Sequence, residues 1–113
     1  MKLRYSEMEN SIRVIKLVGK LDISGVGEVE TQFSGYCAGE NPRVLVDLSD
    51  VDFLASIGIR LLTLYAKSIS SRNGRMVLLN PTPDVRRILE ITGIPAIIPI
   101  YDGIESAETI LLT

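Results

Sequence analysis

The fold of this chain is decided by residues 43–62, which read RVLVDLSDVDFLASIGIRLL. The first six of them, Arg43 to Leu48, are almost continuously apolar, as is typical of a central strand that is covered on both faces. Beyond Ser56, apolar residues recur at the spacing of one helix face: Ile59, Leu62, Ala66 and Ile69. We therefore predict a buried strand over residues 43–48, a connection over 49–55 and a helix from Ser56 to about Arg72.

Strand and helix signals also alternate on the N-terminal side of this stretch. Two strand-like runs, residues 3–8 and 11–18, flank Glu9-Asn10, which predicts a hairpin. In the second run the apolar residues change face, which indicates a β-bulge or burial on both faces. A loop is predicted over residues 19–22 and a helix over 24–38, where apolar residues repeat at helical spacing: Val26, Val29, Phe33 and Tyr36.

The alternation continues on the C-terminal side. Residues 75–79 read as a strand, and Thr82-Pro83 predicts the start of a helix, with threonine as N-cap and proline in the first turn. A short edge strand is predicted over residues 96–100, because it carries a proline. The last helix is predicted to follow a capping box that runs from Asp102 to Glu105.

The predicted order β-β-α-β-α-β-α-β-α defines the fold class. Strands that alternate with helices predict a mostly parallel sheet with right-handed crossovers. We expect an α/β fold with about five strands, an N-terminal hairpin and about four helices. The chain has 113 residues, of which 46% are hydrophobic, so that residues 1–113 are expected to form one domain.

Charge and cysteine content favour some classes of protein over others. The net charge is −2 and the pI is about 5.1, which argues against a nucleic-acid binder and gives no polybasic membrane anchor. The single cysteine, Cys37, cannot form an intrachain disulfide, and no apolar segment follows the basic start as in a signal peptide. We therefore expect a cytoplasmic protein that does not contact a membrane directly.

The composition also removes several chemistries. The chain has no histidine, which excludes a Ser-His-Asp triad and a His/Cys zinc site. It has no G-x-G-x-x-G fingerprint and no P-loop. Asp47, Asp50 and Asp52 are interpreted as turn and cap residues rather than metal ligands. We therefore expect no enzyme, no catalytic residue, no metal and no cofactor.

Several short motifs together give the chain a family resemblance. Residues 44–49, VLVDLS, and residues 51–62, VDFLASIGIRLL, resemble the signature strand and helix start of the STAS domain family. Residues 19–22, GKLD, resemble the family's early G-E-L-D turn, and residues 86–94, RRILEITGI, resemble a later helix motif. The motifs follow the family's order over nearly the whole chain. The chain is most similar to the bacterial anti-sigma-factor antagonist branch of that family.

This resemblance implies a function as a partner-switching regulator. In that branch, a protein that is both anti-sigma factor and serine kinase binds the unphosphorylated antagonist and releases it after phosphorylation. The matching phosphoacceptor here is Ser56, and a phosphatase is expected to reverse the modification. The family's acidic residue before that serine is replaced by Ala55, and Ile57 follows it. The implied partner-binding residues are Asp22, Ala55, Ser56, Ile57, Gly58 and Arg60.

Two of these residues also have an ordinary structural interpretation. Ser56 stands where a helix N-cap is expected, and serine is a common cap. Asp22 precedes a predicted helix, whose dipole favours an acid at that end. An exposed cap can still be modified, so for Ser56 the two interpretations are compatible.

Other functions share the same fold. The resemblance also fits the STAS subunit of a lipid-transport ATPase complex of the ABC class, a stressosome-like scaffold or a transporter appendage. A phosphoacceptor receiver domain is rejected, because it needs an acidic pair after its first strand and a late lysine, whereas no lysine follows Lys67.

Overall fold

A computed structural model describes all residues, 1–113, as a sheet of five strands with four α-helices. Their bounds are β1 Lys2–Glu7, β2 Arg13–Leu21, α1 Ile23–Tyr36, β3 Arg43–Leu54, α2 Ser56–Ser70, β4 Arg75–Leu79, α3 Pro83–Ile91, β5 Ile100–Tyr101 and α4 Ile104–Leu112. A short 3₁₀ turn, Ile94–Ala96, lies between α3 and β5. The predicted α/β fold, with its hairpin and helix number, is confirmed.

The strands lie in the order β1-β2-β3-β4-β5, so that β3 is the centre of the sheet. β1 and β2 form the antiparallel hairpin, and all later neighbours are parallel. The side chains of Val44, Leu45, Val46 and Leu48 are fully buried. The apolar run that begins the central strand therefore reflects helices on both faces of the sheet.

The two faces of the sheet carry cores of unequal size. The helices α1, α2 and α3 cover a core of 22 buried residues. On the opposite face, α4 alone covers a cluster of 6 buried residues, to which it contributes Ala107 and Leu111. Most of the apolar surface that the fold removes from water is therefore on the face of α1, α2 and α3.

Two predicted loops are strand in the structure. Residues 19–21 belong to β2, and β3 continues six residues beyond the predicted end to Leu54. The two extensions pair with each other, from Val18 opposite Asp50 to Leu21 opposite Leu54, with one register shift just before Val18 and a second between Gly19 and Lys20. The acidic residues made this part of β3 resemble a loop. Beyond Asp47, however, β3 has no partner in β4, so its polar side chains can reach solvent.

The C-terminal part departs from prediction in two places. The strand predicted over residues 96–100 is wrong, because the chain forms the 3₁₀ turn there and only Ile100–Tyr101 pair. The prolines in this segment lack the N–H group that a strand ladder needs. The predicted capping box is also absent, since Gly103 is the N-cap of α4 and the Asp102 carboxylate pairs with Arg86. The Thr82 cap of α3 is confirmed, with Oγ1 accepting from the Val85 N–H at 3.4 Å.

Candidate functional site

The candidate site lies where β2 and β3 end side by side. Leu21 pairs with Leu54, and the Leu21 carbonyl accepts a hydrogen bond from the Ala55 N–H at 3.1 Å. The next residues along the chain begin α1 and α2, so that the N-termini of the two helices are neighbours. This edge collects the carboxyl ends of parallel strands, where ligands and partners of α/β proteins commonly bind.

Ser56 is the first residue of α2, and its side chain is exposed. The N-cap is Ala55, whose backbone is extended (φ −98°, ψ 170°) and whose carbonyl accepts from the N–H groups of Gly58 and Ile59. No side chain caps the helix. The prediction that Ser56 is the N-cap is therefore wrong by one residue, because the chain turns into the helix at Ala55.

Asp22 is the N-cap of the neighbouring helix α1. Its Oδ1 accepts a hydrogen bond from the Gly25 N–H at 2.8 Å, and its carbonyl accepts from the Val26 N–H at 2.8 Å. The structural interpretation of Asp22 is confirmed. Asp22 directly follows Leu21, and Ala55 directly follows its partner Leu54. The Asp22 cap of α1 therefore lies next to the start of α2.

Two glycines let the helices approach the strand ends closely. A Cβ atom on Gly58 would lie 2.7 Å from the Leu21 carbonyl oxygen and 2.8 Å from Leu54 Cδ1. A Cβ atom on Gly25 would lie 1.9 Å from the Lys20 carbonyl oxygen. Gly58 is buried, and its lack of a side chain lets α2 sit directly on the ends of β2 and β3.

An open groove of about 230 Å³ runs between α1 and α2 beside Ser56. Its lining is formed by Val26, Glu30, Ile57, Arg60, Leu61 and Leu64. Arg60 is exposed at the surface, and Ile57 is partly buried. Glu30 Oε2 accepts a hydrogen bond from the Tyr65 hydroxyl at 3.4 Å. Four of the six residues that line the groove are apolar, and the other two are one acid and one base.

Large apolar side chains are exposed at the site. The exposed fraction is 76% for Ile23, the first residue of α1, 47% for Phe53 and 49% for Leu64. None of these three residues was predicted from the sequence to form part of the site. A signal for Leu64 was available, because Ile57, Leu61 and Leu64 form an i, i+4, i+7 stripe beside the main buried stripe of α2. Apolar side chains that cluster on a surface mark places where other proteins bind, and these three lie on elements that meet at the end of β2 and β3.

The acidic residues at the end of β3 do not converge on one point. Asp47 Oδ1 accepts from the N–H and hydroxyl groups of Ser49 at 2.9 and 2.7 Å, and Asp50 pairs with Lys16 at 3.1 Å. No group of three histidine, cysteine, aspartate or glutamate side chains lies close enough to hold a metal ion. These carboxylates therefore organise the strand end.

Cys37, at the C-cap of α1, has no access to solvent. Burial raises the pKa of its thiol to about 12, against the smaller opposing effect of Arg13 and Arg72. A reactive cysteine needs a thiolate near neutral pH. Cys37 is therefore a core residue.

Among the α-helices, none combines the length and the hydropathy that a membrane crossing requires.

Comparison with known proteins gives relatives of matching length. BtrV of Bordetella bronchiseptica is 27% identical over 113 residues, which are 100% of this chain and 97% of BtrV. The anti-sigma F factor antagonist of Paenibacillus polymyxa is 28% identical over 106 residues, 91% of each chain.

The fold is also similar to that of the anti-sigma factor antagonist SpoIIAA, whose structure is known in two forms. The unphosphorylated form gives a TM-score of 0.77 at 21% identity, over 96% of each chain. The phosphorylated Bacillus form gives a TM-score of 0.70 at 20% identity, over 96% of this chain and 99% of SpoIIAA. The sequence model of the STAS domain family matches residues 6–107 of this chain. The chain therefore belongs to the STAS domain family, together with proteins named anti-sigma factor antagonists.

Proposed function

We propose that this protein is an anti-sigma-factor antagonist that binds an anti-sigma factor/serine kinase while Ser56 is unmodified and is released when Ser56 is phosphorylated. The observation that carries the proposal is the position of Ser56 at the start of α2. Its side chain is exposed and forms no capping hydrogen bond, and the surface around it exposes large apolar side chains. The kinase supplies ATP, and this chain supplies the substrate serine without acting as an enzyme.

The start of α2 suits both the hydroxyl and its phosphate. The kinase transfers the γ-phosphoryl group of ATP to Ser56 Oγ, ADP leaves, and the hydroxyl proton passes to a base of the kinase. The first N–H groups of a helix have no partner within the helix, and its dipole stabilises an anion there by about 0.3–1 kcal/mol. Because no capping bond holds Ser56, phosphorylation breaks no contact within the chain.

The same phosphate opposes docking of the partner. It adds about −1.5 to −2 charges at neutral pH, and these must be desolvated if the partner covers Ser56. A buried charge without a matching partner commonly costs about 2–5 kcal/mol of binding, which lowers affinity about 30- to several-thousand-fold. Local repulsion at the interface is therefore sufficient for release. SpoIIAA, with a similar fold, has structures in both phosphorylation states.

The proposal is tested by labelling with radioactive ATP in an extract of the native host. The wild-type chain should acquire label, and Ser56→Ala should not. Ser24→Ala is the matched control, because Ser24 is an exposed serine in the first turn of the neighbouring helix α1. Label that persists in Ser56→Ala, or label acquired by the purified chain without extract, would contradict the proposal.

Binding to the kinase gives the second measurement. The kinase is purified by its Ser56-labelling activity and titrated with the wild type, Ser56→Ala and Ser56→Asp. Ser56→Ala should bind like the wild type, whereas Ser56→Asp should bind at least about 30-fold more weakly. Equal affinities would mean that Ser56 lies outside the interface. A pull-down from the host with Ser56→Ala distinguishes this function from a transporter subunit, which would recover a transport ATPase instead.

A further inference from the structure

Arg60 carries a charge that nothing in the chain neutralises. The three ion pairs of the structure join the N-terminus to Glu28, Lys16 to Asp50 and Arg86 to Asp102. Arg60 takes part in none of them, and its side chain is exposed. Among the six residues that line the groove, it is the only cation. A guanidinium binds a carboxylate or a phosphate through two parallel hydrogen bonds.

Arg60 stands one helical turn after Ser56 on α2. Side chains at positions i and i+4 are neighbours on a helix surface, with Cβ atoms about 5–6 Å apart. An acid that precedes a base at this spacing gives the more favourable orientation. Both side chains are exposed. A phosphate on Ser56 therefore lies within reach of the Arg60 guanidinium, with no rearrangement of the backbone.

We propose that phosphorylation of Ser56 captures Arg60 and thereby removes from the groove the cation that binds an acidic residue of the partner. The inference rests on the proposed function and assigns a switching role to a residue of this chain. Before phosphorylation, the groove receives an apolar side chain of the partner, and Arg60 pairs with an adjacent carboxylate. After phosphorylation, Arg60 pairs with the phosphate, so that the partner loses an attractive contact and also meets a new negative charge.

The size and charge of the groove select this kind of partner segment. Its volume of about 230 Å³ accommodates one large apolar side chain between Ile57 and Leu64. Glu30, across the groove on α1, is the carboxylate of this chain that could compete with a partner's acid for Arg60. The two form no ion pair, and the carboxylate of Glu30 accepts from the Tyr65 hydroxyl instead. Arg60 is thus available to an acid of the partner.

The test uses the full chain with phosphoserine incorporated at position 56 during translation, so that no kinase is required. The second pKa of the phosphate, near 6 in phosphoserine, is followed by phosphorus NMR. It should be about 0.3 lower in the chain with Arg60 than in Arg60→Gln. Arg60→Lys should give an intermediate value, because an ammonium group makes no two-pronged contact. Arg87→Gln, an exposed arginine on α3, is the matched control and should leave the value unchanged.

Equal phosphate pKa values in the wild type and Arg60→Gln would overturn the capture of Arg60. A difference that appears in Lys20→Gln instead would also overturn it, since the phosphate would then pair with the strand end. The Ser56-labelling kinase is the probe for the groove. Unmodified Arg60→Gln should bind it about tenfold more weakly, and unmodified Arg87→Gln should bind like the wild type. An unchanged affinity for Arg60→Gln would refute the contact. The NMR result is independent of whether the host phosphorylates Ser56, so failure of this inference and failure of the proposed function are separable.

Discussion

The sharpest stability test compares two glycines of α1 that lie two residues apart. A Cβ atom on Gly25 would lie 1.9 Å from the Lys20 carbonyl oxygen and 3.3 Å from Asp22 Oδ1. A Cβ atom on Gly27 would have no neighbour within 4 Å. Gly25→Ala must therefore push α1 away from β2, whereas Gly27→Ala is accommodated without movement.

The expected free energies follow from these distances. Overpacking against the backbone costs about 1–3 kcal/mol. Displacement of the Gly25 N–H from Asp22 removes a helix cap, which costs a further 0.5–2 kcal/mol or so. Alanine offsets about 1 kcal/mol of this through its helix propensity. Gly25→Ala should thus lose about 0.5–4 kcal/mol of unfolding free energy, and Gly27→Ala should gain about 0.5–1 kcal/mol.

Urea denaturation of both variants measures the difference directly. Thermal midpoints should separate by about 4 °C for each kcal/mol in a domain of this size, with Gly25→Ala always the lower. Equal stabilities would refute the argument that close approach of α1 to the end of β2 requires glycine. Gly25→Ala should also weaken kinase binding, because it shifts the Asp22 cap beside the start of α2.

Three other outcomes are expected. Ser56→Ala should change the unfolding free energy by less than about 0.5 kcal/mol in urea titrations, because Ser56 is not the N-cap of α2. A loss near 1 kcal/mol would mean that the Ser56 hydroxyl caps the helix. The free energy of unfolding should fall as pH rises from about 8.5 towards 12. The cause is that the Cys37 thiol has a folded-state pKa of about 12, so the unfolded thiol loses its proton first. Urea titrations at pH 8 and 10.5 should therefore show a smaller fall for Cys37→Ala than for the wild type. Arg72→Ala should cost about 1.5–3 kcal/mol in the same assay, because its guanidinium donates to the Cys37 carbonyl at 2.9 Å at the end of α1, whereas the exposed Arg87→Ala should change little.

The architecture was predictable because its signals are local. The apolar run at the start of β3 and the helical spacing along α2 depend on which side chains are buried, and burial leaves a periodic pattern in the sequence. The extension of β3 to Leu54 was missed because Asp50 and Asp52 suggest a loop. A strand accepts these two acids because β4 ends beside Asp47 and leaves them exposed to solvent. The end of β4 is a property of a strand more than 20 residues away.

The site was only partly predictable. The position of Ser56 at a helix start followed from the sequence and the family resemblance, whereas the identity of the cap depends on the residue at which the backbone turns. That residue is Ala55, whose side chain carries no capping signal. The groove was not predictable, since Glu30 on α1 and Arg60 on α2 come to line the same groove only through the packing of two helices that are far apart in sequence.

The unequal cores on the two faces of the sheet imply that the molecule opens unevenly. Local unfolding requires less free energy where fewer apolar side chains are buried, and slow amide hydrogen exchange reports the difference. Amides of α4, over its small cluster, should therefore exchange through openings that leave α1 and α2 folded. A protein that docks beside Ser56 meets a surface that is already ordered, and little conformational entropy is lost on that side when the complex forms.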